Sequence, residues 1–129
     1  MSSHAFGKTL RLLNSDDFKS VFDDAPVRAS HQHLLILARF NQRSHARLGL
    51  VIAKRGIRLA VQRNRIKRLI RESFRHRQAA LSGLDIIVLS RPGLGELDNK
   101  TIDKHLNHQW QRLRKRAQKL ADEAPDNGN

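Results

Sequence analysis

The stretch AVQRNRIKRLIRESFR, from Ala60 to Arg75, combines a helical apolar pattern with dense positive charge. Its large apolar residues recur at three- and four-residue spacing: Ile66, Leu69, Ile70 and Phe74. At about 100° per residue they cluster on one side of the helix. The pattern predicts an amphipathic helix from about residue 61 to residue 78, with one face packed on a core.

The polar side of this predicted helix carries almost only positive charge. Residues 54 to 77 include ten Lys or Arg residues and one acid, Glu72. Six polar residues share about 140° of arc beside the apolar stripe: Arg63, Asn64, Lys67, Arg68, Arg71 and Arg75. Arg65 lies further round, and the loop before the helix contributes Lys54, Arg55 and Arg58.

Repulsion within this face indicates a phosphate-bearing partner. A merely solvated helix face is expected to mix signs and to pair Glu with Lys four residues apart. Here like charges repeat at that spacing from Arg63 to Arg75, which is locally unfavourable. Arginine predominates over lysine, and its planar fork suits phosphates and base edges. Asn64 adds a donor and an acceptor that can read a base or a ribose hydroxyl.

The composition agrees with a polyanionic partner. The chain has 129 residues, one domain's length, with 25 Lys or Arg against 12 Asp or Glu and a formal charge of +13. Nucleic acid and an anionic membrane surface are the two candidate partners, and a purely solubilising charge is a weaker alternative. No apolar run approaches the ~20 residues of a membrane span, and no secretory signal is evident. The absence of cysteine excludes disulfides and thiolate metal sites and is compatible with a cytoplasmic protein.

The rest of the chain predicts alternating helices and strands. Ser15 is a candidate cap for a short helix, followed by strands at 33–40 and 47–53 with a hairpin-sized loop between them. Residues 27–30 are a candidate for one further short strand. After the basic helix, the apolar run 85–90 predicts a buried strand, and Asp98 caps a last helix from 99 to about 120.

This order, α-β-β-(β)-α-β-α, predicts an α+β fold of a single domain. Helices should pack on a mainly antiparallel sheet in a two-layer sandwich. We expect a basic, partly flexible N-terminus over residues 1–13, an RNA-binding domain over 14–118 and a disordered tail over 119–129.

The basic helix carries a resemblance to a known family. Residues Arg63 to Glu72, RNRIKRLIRE, closely resemble the RNR signature of the protein subunit of bacterial ribonuclease P, R-N-R-[IV]-K-R-x-[IL]-R-E. Three other stretches resemble the family in the same order: SDDFKSVF (15–22), RLGLVIAKR (47–55) and RPGLGELD (91–98). The resemblance covers about residues 8–118.

The resemblance implies a ribozyme's protein cofactor. In that family the RNA subunit, with RNA-bound Mg²⁺, matures the 5′ end of precursor tRNA. The holoenzyme is therefore the endoribonuclease, and the protein supplies no catalytic residue and binds no cofactor. The signature helix docks on the catalytic RNA, and a cleft between the first helix and the sheet holds the single-stranded 5′ leader. The family fold includes a left-handed β-α-β crossover, against the general preference.

By the same resemblance the cleft is lined by Phe18, Phe22 and His33, the last at a position where many relatives carry an aromatic residue. From spacing alone, an F-x-x-x-F pair is more often core than a stacking platform; the resemblance favours the cleft for at least one of the two.

The residues themselves show no enzyme motif. No P-loop, G-x-S-x-G or H-E-x-x-H string is present, and the histidine pairs 31/33 and 105/108 have no carboxylate cluster beside them. A catalytic or metal site in the protein is therefore not expected. The main alternative function is a ribosomal or ribosome-assembly protein that binds rRNA, which composition alone does not separate from the first.

Overall fold

A computed structural model describes residues 13–123 of the chain. The elements in chain order are α1 (Ser15–Asp23), β1 (Val27–Ser30), β2 (Leu34–Phe40), β3 (Arg47–Val51), α2 (Ala60–Arg77), β4 (Leu84–Ser90), a 3₁₀ turn (Leu94–Glu96) and α3 (Asn99–Glu123). The predicted α+β fold is confirmed, including the additional short strand at 27–30. Most of the segment predicted to be a flexible N-terminus, residues 1–12, lies outside the described residues.

The four strands form one sheet in the order β1-β2-β4-β3. β1 pairs antiparallel with β2, β2 pairs antiparallel with β4, and β3 pairs parallel with β4. The predicted hairpin between β2 and β3 is therefore wrong, because β4 lies between them. The reason is burial: β4 is apolar over most of its length and buried over its first five residues, so a central position removes more apolar surface from water.

Parallel strands require a crossover, and here α2 connects β3 to β4. The β-α-β unit of the implied fold is therefore present. Its left-handedness remains an implication of the family resemblance.

The sheet has a core on each face, because successive side chains alternate between faces. Leu34, Ile36, Ile86 and Val88 belong to the larger core, which includes the apolar stripes of α2 and α3. Leu37 and Ile87 face the other side, where they join Leu13 and Val21 under α1. The sandwich is thus completed on one face by two helices, whereas a single short helix covers the other.

The helix ends correct two predictions and confirm a third. The cap of α1 is Asn14 rather than Ser15: the Asn14 side chain accepts from the Asp17 backbone N–H at 2.9 Å, and the Asp17 carboxylate accepts from Asn14 N–H at 3.1 Å. Asp98 caps α3 as predicted, through a 2.8 Å bond from Thr101 N–H. α3 then continues to Glu123, so the first part of the predicted tail 119–129 is helical; residues 124–129 lie outside the described range.

Two further features of the described chain bear on its context. The backbone N–H of Leu13 donates to the Leu48 carbonyl at 3.1 Å, and the Leu13 side chain is buried, so the packed domain includes residue 13. Within residues 13–123, no helix is long and apolar enough to cross a membrane.

Candidate nucleic-acid interface

The exposed face of α2 displays the predicted cations. Ile66, Ile70 and Phe74 are fully buried and Leu69 is partly buried against the same core, which confirms the predicted apolar stripe. Asn64 and Arg68 are exposed, and Lys67 and Arg71 are partly exposed beside them. The three loop residues are exposed as well: Lys54, Arg55 and Arg58. We call this set the basic surface: Lys54, Arg55, Arg58, Asn64, Lys67, Arg68 and Arg71.

Two arginines of the signature also hold the surrounding loops. Arg63 Nη1 donates to the carbonyls of Ile57 and Arg58 at 2.8 and 2.9 Å, which fastens the basic loop to the start of α2. Arg65 Nη2 donates to the carbonyls of Gly95 and Leu97 at 3.0 and 3.2 Å. Sequence reasoning assigned both to RNA and missed this positioning role. The signal was present for Arg65, which lies away from the other cations on the helical circumference.

Arg75 also differs from the remaining cations. Its guanidinium pairs with Glu72, and the hydrogen bond from Arg75 lowers the pKa of that carboxyl below its ordinary value. Glu72 also lies 3.4 Å from His76 Nε2. The positive charge of Arg75 is therefore partly offset within the helix. The basic surface keeps cations for which no such ion pair exists among residues 13–123.

The other face of the sheet is only partly covered. Phe18 lies over Gly49, where a Cβ would approach the ring to 2.5 Å, so any larger residue would force the ring to shift. The Phe22 ring lies 6.3 Å from the Phe18 ring, inclined by 24°, and Phe22 is 49% exposed. We call the uncovered remainder beside α1 the open face; its apolar residues are Leu35, Val51 and Leu89, all partly buried.

An ion network fixes α1 on this face. Arg47 donates from Nε and Nη2 to the two oxygens of Asp85, at 2.8 and 2.7 Å, and also contacts Asp17 of α1 at 3.2 Å. Asn41 Nδ2 donates to Asp85 Oδ1 at 2.8 Å. These contacts tie α1, β3 and β4 together, and thereby set the place of Phe18 and Phe22.

The titration of this network follows from its geometry. Burial raises the pKa of Asp85, but the hydrogen bonds from Arg47 and Asn41 outweigh it, and the net pKa lies below the ordinary value. The hydrogen bond to Asp85 raises the pKa of Arg47. Sequence reasoning missed this site. The signal was a single carboxylate at the start of an apolar strand, DIIVLS, which requires a buried partner.

His33 directly precedes β2 and borders the open face. It continues the alternation of Leu35 and Leu37, but its ring contacts are with neighbouring loops and α3. Its Nδ1 is 3.3 Å from the Pro92 carbonyl oxygen, and its ring centroid is 5.8 Å from His31 and 6.4 Å from His105. The structure therefore places His33 at the rim, whereas Phe18 and Phe22 lie on the helix across the face.

The rings of His31, His33 and His105 lie close together, with centroids 4.3 to 6.4 Å apart. The His33 backbone N–H donates to His31 Nδ1 at 3.0 Å, which occupies that nitrogen. Burial, with the neighbouring His105 and His33, lowers the pKa of His31. Among residues 13–123, no group of three or more His, Cys, Asp or Glu side chains is arranged to hold a metal ion.

Comparison with known proteins identifies the family. The family model described as Ribonuclease P matches residues 6–114. The chain belongs to the ribonuclease P protein family. It is 50% identical to the ribonuclease P protein component of Pseudomonas aeruginosa over 113 residues, which are 88% of this chain and 84% of the relative. It is 48% identical to that of Azotobacter vinelandii over 124 residues, 96% of this chain and 95% of the relative.

Solved structures of ribonuclease P proteins share the fold. The Staphylococcus aureus protein superimposes with a TM-score of 0.73 at 28% identity, covering 81% of this chain and 94% of that one. The Thermotoga maritima protein gives a TM-score of 0.67 at 29% identity, covering 78% and 96%. The function is accordingly that of a ribonuclease P protein cofactor in tRNA 5′ maturation, and the ribosomal alternative is not favoured.

Proposed function

We propose that the two exposed surfaces divide the work of the cofactor. The basic surface docks on the catalytic RNA, and the open face, with Phe22 at its border, binds the single-stranded 5′ leader of precursor tRNA. The observation that carries the proposal is a half-exposed phenylalanine beside an uncovered apolar sheet face, in a protein with formal charge +13. A leader can stack there without a sequence requirement, because every base has a π-face.

The basic surface binds RNA through its positive charge. RNA binding releases counterions from phosphates, so cations that lack an acidic partner contribute most. Arg68 and Lys67 have that property, whereas Arg75 shares its charge with Glu72. Arg63 supports docking indirectly, because it positions the loop that carries Arg55 and Arg58.

In this proposal the chemistry belongs to the RNA subunit and its Mg²⁺ ions, and the protein binds no cofactor of its own. The protein's contribution is to hold the leader and to reduce repulsion between two polyanions. The setting is the cytoplasm.

The test compares two exposed phenylalanines in the reconstituted holoenzyme. Phe22→Ala should weaken binding of precursor tRNA by about 1–3 kcal/mol, roughly 5- to 150-fold, because a base loses its stacking partner. Binding of mature tRNA, which has no leader, should not change. Phe40→Ala is the matched control, since Phe40 is 40% exposed but lies beside Leu84 and Arg114, away from the open face.

The readout is the ratio of the two affinities at constant salt. If a folded Phe22→Ala protein keeps the precursor preference of the wild type, or if Phe40→Ala loses as much, the open face is not the leader site. Assembly with the catalytic RNA should be equal in all three proteins.

A further inference from the structure

The outer edge of β1 is covered by arginines rather than by another strand. Arg112 Nη1 donates to the Ser30 carbonyl at 3.2 Å, and Arg116 Nη1 donates to the Arg28 carbonyl at 2.7 Å. The spacing explains the fit: four residues of α3 rise about 6 Å, and two residues of β1 rise about 6.6 Å. These bonds satisfy edge carbonyls that would otherwise invite pairing with another chain.

Protection of the β1 edge does not account for all the positive charge between β1 and α3. A groove of about 330 Å³ runs between β1 and the last turns of α3, and its lining includes Arg28, Arg116 and Lys119 against one acid, Glu123. Arg91 lies further along the same strand edge, with Nη1 donating to Ser30 Oγ at 3.0 Å and to the His31 carbonyl at 2.7 Å. We call this the edge groove.

The edge groove is an unbalanced cationic surface. Three of its lining side chains are positive and one is negative, and Arg112 and Arg91 add two more cations at its border. Within residues 13–123 none of these five cations forms an ion pair. Arg91, Arg112 and Arg116 each bind their acceptors through Nη1 alone, so Nε and Nη2 of each guanidinium remain available in the described chain. Such a surface fits a phosphate backbone.

The position of the groove indicates which segment of single-stranded RNA it binds. β3 and β1 are the opposite edges of the sheet, and the basic loop 54–58 follows β3. Single-stranded RNA that comes from the basic surface and crosses the open face must therefore leave the sheet at the β1 edge. Arg28 stands at that exit, because it is paired in register with Leu37, whose side chain belongs to the core under α1.

We propose that the edge groove binds the phosphate backbone of the distal part of the leader, after the leader has crossed the open face. The inference rests on the proposed leader site and extends it over the edge of β1 onto α3. The three inter-strand steps from β3 to β1 span about 14 Å, so a leader must cross this width before it reaches the groove. The contribution of the groove should therefore depend on leader length.

The test uses the holoenzyme with two precursor tRNAs, one with a leader of about 4 nucleotides and one of about 16, the range of single-strand site sizes. The variant is Arg28→Ala/Lys119→Ala, whose side chains donate no hydrogen bond in the described chain. Affinity for the long leader should fall about three- to tenfold, as expected for two exposed charge contacts. Its log–log salt slope should fall by about 1.4, and the short leader should be bound as before.

A charge-matched control separates the groove from general electrostatics. Lys104→Ala/Arg114→Ala also removes two positive charges, both from α3, but these residues line other surfaces. Equal losses in both double variants, or equal losses for both leaders, would overturn the proposal, as would an unchanged long-leader affinity. Phe22→Ala, measured in parallel, tests the leader site separately from the edge groove. If this variant binds the precursor with the short leader as tightly as the wild type does, the leader site itself is misplaced.

Discussion

Asp85→Asn tests the network that holds α1 on the sheet. Asp85 is 5% exposed and receives two hydrogen bonds from Arg47 and one from Asn41. Asparagine retains the shape, but it removes the charge and turns an amide donor toward a guanidinium that has only donors. Breaking a buried ion pair costs about 3–5 kcal/mol. Since Arg47 keeps Asp17 as a partner, we expect the lower end, about 3 kcal/mol.

The pH dependence provides a second signature. The pKa of Asp85 is lowered in the folded state, so its stabilisation is complete above the unfolded pKa of about 3.9. The stabilisation is lost as the pH falls through the lowered folded-state pKa. The wild type should therefore lose stability in this acidic window, and Asp85→Asn should lack that part of the loss.

Chemical denaturation at neutral pH and in acid measures both effects. In thermal unfolding, the same loss of about 3 kcal/mol would lower the Tm by roughly 10 °C for a domain of this size. Lys19→Ala is the control, because its ion pair with Asp23 is exposed and should contribute little. If Asp85→Asn unfolds at the same denaturant concentration as the control, the network does not stabilise the fold.

Three further outcomes are expected. Gly49→Ala should destabilise the protein by about 1–3 kcal/mol, because its Cβ would meet the Phe18 ring. Phe18→Ala should then reduce the free energy of unfolding less in the Gly49→Ala background than in the wild type, and a double-mutant cycle measures this coupling. Trp110→Phe should cost about 1–3 kcal/mol by leaving the buried Ser73 hydroxyl without the 2.8 Å bond from Nε1, as seen in urea unfolding; equal stability would contradict this. Arg68→Ala should lower the salt slope of catalytic-RNA binding by about 0.7–1, and an unchanged slope would remove Arg68 from the docking surface.

Local pattern was sufficient for much of the architecture. The apolar stripe of α2 is a property of residues three and four apart, and the structure packs it on the core as predicted. The charge of the same helix is equally local, since like charges at i,i+4 are visible in the chain itself. The Asp98 cap depends on a neighbour three residues away and was predictable for the same reason.

Contacts between distant residues were not predictable from these patterns. The insertion of β4 between β2 and β3 depends on which arrangement buries more apolar surface, and periodicity carries no information on strand order. Arg63 looks equivalent to its neighbours in the sequence, yet its Nη1 donates to two backbone carbonyls of the loop before α2.

The sequence by itself determined the class of partner and the family, because net charge and the ten-residue signature are linear properties of the chain. The tertiary structure alone decided which cations remain available and which faces stay uncovered. The physical reason is that availability depends on hydrogen bonds and burial between residues far apart in the chain. Arg65 is used within the fold, Phe22 is left half-exposed, and Arg28 stands at the sheet edge only because the strands pair as they do.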